Sequence, residues 1–303
     1  MAALELLLGN EMLKEGRLAA LRAGRLSHSI LLCGEKGVGA GFAARCLAAD
    51  YLYPQGGPGA AQVLAGKSPE CLLVEGEGAS GDIRVERVRE VRREIYNTSL
   101  SAAGRVVMVL GAEKLNRSSA NALLKELEEP PEGVLFLLVA ASEAGVLATI
   151  RSRCCAYSLA PVSEAVCAEY LRQHFPNEPD AARCAALFGG KIGTAKKCLS
   201  DEEGRARLAD ALALAAFAEK KDVYGALTLL AKYESERLAA LELLGLLRCV
   251  CSAALRDSKA AESPLSTERA ILCAGAARKT ARTLASNVNG KLALTLLAAR
   301  LTA

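Results

Sequence analysis

The segment GEKGVGAG, residues 34 to 41, lies between a short apolar run, SILLC, and an Ala-rich run. That setting, strand then loop then helix, is the one a phosphate-binding loop requires. In the pattern G-x-x-x-x-G-K-[ST], backbone N–H groups cradle phosphate, the Lys reaches the outer phosphates and the hydroxyl ligates magnesium. Gly34 and Gly39 occupy the two glycine positions, with Gly37 between them, but Ala40 stands at the Lys position and Gly41 at the hydroxyl position. The loop keeps N–H groups that can hold an anion and lacks the side chains that orient a triphosphate for cleavage. The second element such a site needs is an acidic pair ending an apolar strand, to hold the metal and activate the water. After VVMV the chain reads Leu110-Gly111-Ala112, so neither carboxylate is present. Glu113 falls beyond the strand end and is expected to be exposed ahead of a helix. Two losses at distant positions predict a nucleotide-binding fold whose own site binds no cofactor and hydrolyses no ATP. Lys36 is the one cation in the loop. It supports the alternative, a self-contained ATPase with an atypical nucleotide site.

Other residues of reactive type carry bland expectations when read alone. Arg153, within Ser152-Arg153-Cys154, reads as a solvated Arg at a strand end, and Arg151 beside it as a helper or a partner for a carboxylate. Glu128-Glu129, just before Pro130-Pro131, reads as a solvated helix end. Eleven Cys occur with no C-x-x-C spacing, which predicts buried or idle thiols in a reducing cytoplasm. Cys154 is expected to be a small buried residue. His28 and His174 are the two His residues, and His28 reads as structural. No Cys falls between Cys46 and Cys71, so no zinc site is expected there.

These residues need a scaffold, and the apolar periodicity supplies one. Strands are expected at 29–33, 72–75, 105–110, 134–140 and about 155–159. Helices are expected at 13–23, 42–51, 85–95 and 118–129, the last stopped by two prolines. Continuously apolar strands separated by helices predict a parallel sheet covered on both faces. From Pro161 onward no strand is expected. Helices at 163–174, 180–188 and 194–199 surround a break at Gly189-Gly190, and Ala/Leu-rich helix continues from about 205. The expected domains are 1–160 α/β, 161–204 small and helical, and 205–303 helical. The chain has 303 residues, 51% hydrophobic and 24% charged, which excludes a disordered protein. Net charge is +4 and Trp is absent, which argues against a stand-alone nucleic-acid-binding module. Arg84 to Arg93 alternates with Glu and reads as a solvated, locally paired face, although a weak, salt-sensitive contact to a phosphate backbone is an open reading. The stretch 238–255 contains Glu242 and Arg248 and reads as a core helix, not a membrane span. The first ten residues, MAALELLLGN, lack the basic start of a signal peptide.

RLSHSILLCGEKGVG, KLNRSSANALLKELEEPPEGVLFLLVA and LATIRSRC together resemble the AAA+ subunits of bacterial sliding-clamp loaders. FGGKIGTAKKCL is similar to that family's lid helix and NVNGKLALTLLAARL to its last collar helix. The resemblance implies an α/β nucleotide-binding domain of P-loop type followed by two all-helical domains, a lid (161–204) and an oligomerising collar (205–303). It implies an SRC motif at Ser152, Arg153 and Cys154, with Arg153 as an arginine finger acting in trans on a neighbour's ATP. It also implies tau/gamma and delta subunits of DNA polymerase III as partners, with the sliding clamp and primed DNA engaged indirectly, in the cytoplasm. Gly193 falls where active relatives keep a sensor Arg.

Overall fold

The structure, a computed structural model, describes residues 2–22, 27–76, 81–96, 104–177, 181–256, 259–286 and 288–303. The chain divides into two compact units, 1–160 and 161–303.

The first unit begins with a 3-10 turn, Ala3–Leu6, and helix α1, Glu11–Arg22. Strand β1, Ser29–Cys33, is buried along its whole length. Helix α2 (Ala40–Leu52), helix α3 (Pro58–Leu64) and strand β2 (Cys71–Glu75) follow. Next come α4 (Val85–Glu94), β3 (Arg105–Leu110) and α5 (Arg117–Glu128). The unit closes with β4 (Val134–Ala140), the short α6 (Ala148–Arg151) and β5 (Cys155–Ser158). The five strands lie in the order β2-β3-β4-β1-β5, and every pairing is parallel. Successive β4 residues point to opposite faces. Leu135 and Leu137 join α2 in one core, while Phe136 and Leu138 join α4 and α5 in the other. Burial on both faces is why the run VLFLLVA has no polar alternation.

Residues 13–23 and 42–51, expected as helices, begin earlier in the structure, at Glu11 and Ala40; position 23 lies outside the described residues. Short elements such as the turn at 3–6, α3, the 3-10 turn Glu143–Gly145 and α6 had no expectation. Helix α5 is capped by Asn116, whose Oδ1 accepts the Ser119 N–H at 2.9 Å. Asn116→Ala is expected to cost about 1 kcal/mol, read from the midpoint of urea unfolding.

The second unit holds α7 (Glu164–His174), α8 (Ala181–Leu187), α9 (Ile192–Leu199) and α10 (Glu202–Lys220). It continues with α11 (Val223–Ala231), α12 (Arg237–Leu255), α13 (Thr267–Ala285) and α14 (Gly290–Thr302). Position 180, expected to start a helix, lies outside the described residues. The boundary expected at 204/205 falls inside α10, and one apolar core runs from Cys167 to Leu301. Charged groups cross the same line: Arg256 Nη2 donates to the Ala186 carbonyl at 2.7 Å, and Lys197 Nζ contacts Glu242 Oε1 at 2.5 Å. Residues 161–204 and 205–303 therefore share one apolar core. The apolar stretch at 238–255 forms α12, which buries Leu243, Leu244, Leu247 and Val250 in that core.

Candidate functional site

The Gly-rich loop, residues 34–41, leaves the C-terminal end of β1. Gly34 N–H donates to Ala140 O at 3.0 Å, and Gly111 N–H donates to Val139 O at 2.9 Å. The end of β4 thus separates the two elements that the sequence singled out, and the fold brings them to the same end of the sheet, where the strands finish. Gly39 caps α2 with φ 103°, and Gly37 also has positive φ. That left-handed backbone is why glycine stands at these two positions. The intervening Val38 is buried, and its Cγ2 lies 2.5 Å from where a Gly34 side chain would begin. Ala40 is buried and Gly41 faces open space. The N-terminal segment is held beside this loop. Asp50 of α2 accepts from the Ala3 and Leu4 N–H groups at 2.5 and 3.0 Å, and Leu4 and Leu7 join Val38 in the core.

Leu110 ends β3 half-buried, and Gly111 turns the chain with φ 80°. Glu113, expected to be exposed, is instead half-buried in the 3-10 turn that follows, with Oε2 out of solvent. Gly145 packs against it, as its hypothetical Cβ would lie 3.3 Å from Glu113 Cβ, and the chain reversal at Gly111 tucks the side chain inward.

Ser152, Arg153 and Cys154 lie at the other end of the sheet. They link α6 to the first residue of β5, whose partner on β1 is Ile30 for Cys155. Gly34 is four residues further along β1 than Ile30, so at about 3.3 Å per residue the loop and the start of β5 are separated by roughly 13 Å. Arg153 is not the freely solvated Arg that its position alone suggests. Nε donates to Glu128 Oε1 at 2.6 Å, Nη2 contacts the same oxygen, and Nη1 donates to Thr149 O at 2.9 Å and Ser152 Oγ at 3.2 Å. Glu128, expected to be a solvated helix end, is therefore an ion-pair partner while remaining exposed. Leu127, Glu128, Ser152 and Arg153 line an open surface depression. The sequence singles out Glu128 only as a helix end; its pairing with Arg153 has no sequence signal, because the two lie across a strand and a helix from each other.

Neighbouring residues fill supporting roles. Arg151 Nε faces Glu143 at 3.7 Å. Leu123 and Leu127 are buried and Leu124 partly so, which fixes α5 on the sheet. Buried Glu126 of α5 faces Arg92 of α4, Nε to Oε1 at 2.6 Å. Within α4, Arg87 pairs with Glu90 at 3.2 Å. Cys154 is half-buried, and desolvation, then the neighbouring Cys155 and Cys33, push its thiol up to about 12. At neutral pH it is protonated and a poor nucleophile. Cys155 is exposed rather than buried. His28 is exposed, and its carbonyl accepts the Phe136 N–H at 2.7 Å. Gly193 is exposed on α9.

Compared with known proteins, residues 11–163 match the model of a family described as DNA polymerase III, delta subunit. The chain is 37% identical over 153 residues to DNA polymerase III subunit delta' of Yersinia pestis, covering 48% of this chain and 45% of that one. It is 31% identical over 225 residues to DNA polymerase III subunit delta' of Escherichia coli K12, covering 71% and 67%. The chain spans about half the length of the Yersinia pestis protein, 45%, and of a DNA polymerase III subunit delta' of Pseudomonas aeruginosa, 55%. A solved DNA polymerase III gamma subunit-related protein from Thermotoga maritima aligns over 93% of this chain and 96% of its own, with TM-score 0.51 at 19% identity. That likeness speaks for the fold.

Proposed function

The chain belongs to the family of DNA polymerase III delta' subunits, and on that premise we propose that it is a clamp-loader subunit without ATPase activity of its own. It assembles with tau/gamma and delta subunits in the cytoplasm, residues 161–204 serving as lid and 205–303 as oligomerising collar. Arg153, within the SRC triplet, reaches the ATP held by a neighbour. The assembly loads the sliding clamp onto primed DNA. The observation that carries this reading is the position of Arg153, two residues before β5 begins at Cys155, at the opposite end of the sheet from residues 34–41. A guanidinium there is out of reach of its own loop and open to another chain. Beside a γ-phosphate it would offset charge developing during transfer, and its planar fork suits phosphate better than an ammonium.

The chain's own site holds neither zinc nor nucleotide in this reading. Ala40 and Gly41 supply no phosphate or magnesium side chain, and Leu110 and Gly111 supply no metal ligand. The double variant Ala40→Lys/Gly41→Thr is expected to show no ATP turnover as an isolated chain, measured by phosphate release. Position 41 has room for a side chain, so steric exclusion at that position is not the reason. Robust turnover by the variant would contradict the account. Titration of the unaltered chain with a nucleotide analogue separates this reading from the self-contained ATPase, which requires micromolar binding with turnover.

A further inference from the structure

Glu128 stands at the unfavourable end of its helix. The C-terminus of α5 carries partial negative charge, which disfavours a carboxylate there, yet Glu126, Glu128 and Glu129 all fall in its last turn or just beyond. Glu126 is offset by Arg92. Glu128 is offset by Arg153, which spends both Nε and Nη2 on the single oxygen Oε1. Thr149 O and Ser152 Oγ take Nη1. A guanidinium has five N–H donors, and these four contacts occupy most of its fork inside the chain. The pair nevertheless sits at the surface, with side-chain exposures of 30% for Arg153 and 49% for Glu128. A phosphate that takes two parallel N–H groups from Nε and Nη2 meets the edge of the fork that Glu128 already holds.

We propose that Glu128 is a positioning residue that parks Arg153 in the free subunit and gives it up to the phosphate of a neighbouring nucleotide. This rests on the trans role of Arg153 argued above. The exchange makes and breaks no covalent bond: one anion replaces another on Nε and Nη2, while Thr149 O and Ser152 Oγ keep Nη1 and hold the fork's direction. A triphosphate carries more charge and more acceptor oxygens than one carboxylate, so it wins once docking removes water. Before docking, the pair keeps the guanidinium from engaging stray polyanions. Because an exposed pair is weak, the displacement is a modest toll and not a block.

The test uses the assembled complex with its cognate tau/gamma and delta subunits. Glu128→Gln is expected to lower the ATP concentration for half-maximal hydrolysis two- to fivefold without loss of kcat, and Glu128→Asp is expected to restore the parental value. In an Arg153→Ala background Glu128→Gln is expected to change nothing, since coupled residues fail to add. In the isolated chain, the 15N-resolved Arg153 Nε–H signal is expected to move on Glu128→Gln, which reports the pair whatever Arg153 does in the complex. A fall in kcat at unchanged KM would mean that Glu128 is needed in the transition state, and would overturn the parking role. No change in either constant, with Arg153→Ala still deleterious, would overturn it too and leave the role of Arg153 standing. An inert Arg153→Ala would remove both.

Discussion

Arg153→Ala is expected to leave the isolated chain folded and, on the proposed trans role, to cut ATP hydrolysis in the assembled complex by on the order of a thousandfold at the neighbouring site. The fold-level half of this expectation follows from exposure. Arg153 contributes a surface ion pair with Glu128 and hydrogen bonds to Thr149 O and Ser152 Oγ, and such surface groups are worth within about 1 kcal/mol. The catalytic half follows from charge. Phosphoryl transfer spreads negative charge over the γ-phosphate oxygens, and a guanidinium held beside them in a water-poor interface stabilises the transition state more than the ground state. Where the assembly holds several ATP sites, the total rate falls by the share of the one site, so single-site turnover is the informative quantity. Arg153→Lys is expected to rescue poorly, since an ammonium offers a point charge rather than a fork. Unchanged hydrolysis in the assembled complex would count against the role.

Phe136→Ala carries the largest expected loss of stability. Phe136 lies at the centre of β4, 1% exposed, between Ser29 on β1 and Val107 on β3. Its ring belongs to the core that also holds Leu123 and Leu127 of α5 and Ile150 of α6. Removing it costs about 3–5 kcal/mol from lost burial and the cavity left behind. At 2–4 °C per kcal/mol for a domain of this size, the melting temperature falls by roughly 6–20 °C. The same cavity loosens the two helices that position Glu128 and Arg153, so the variant is expected to lose hydrolysis in the complex through misplacement. Calorimetry of the isolated chain separates the two substitutions: Arg153→Ala is expected to lose activity with a melting temperature within about 4 °C of the parent, and Phe136→Ala to lose both. A melting temperature for Phe136→Ala within a degree of the parent would contradict the packing described for β4.

The three central strands, β3, β4 and β1, are legible because they are buried on both faces, whereas the edge strands β2 and β5 keep exposed positions. SILLC, RVVMVL and VLFLLVA leave no polar alternation, and Pro130-Pro131 marks where α5 must stop. The short elements were not legible. α6 has four residues and α3 seven, too few to display a helical period. The remnant loop and Gly111 could be placed by spacing alone, because each sits directly after a strand. The pairing of Glu128 with Arg153 could not, since the two are 25 residues apart and only the parallel return of β5 beside β1 brings them together. Glu113 failed for a related reason. Its burial depends on the turn at Gly111 and on Gly145, neither of which has a periodic signal. The division at 204/205 was drawn where composition shifts, but Arg256 and the Lys197–Glu242 contact tie helices across it.

The most direct measurement is a structure of the chain assembled with its tau/gamma and delta partners and a non-hydrolysable ATP analogue. The account predicts the Arg153 guanidinium within hydrogen-bond distance of a γ-phosphate bound by the adjacent subunit, released from Glu128, with no nucleotide at residues 34–41. Magnesium and triphosphate seated on that loop, with Arg153 still held by Glu128 and away from any neighbour, would contradict it.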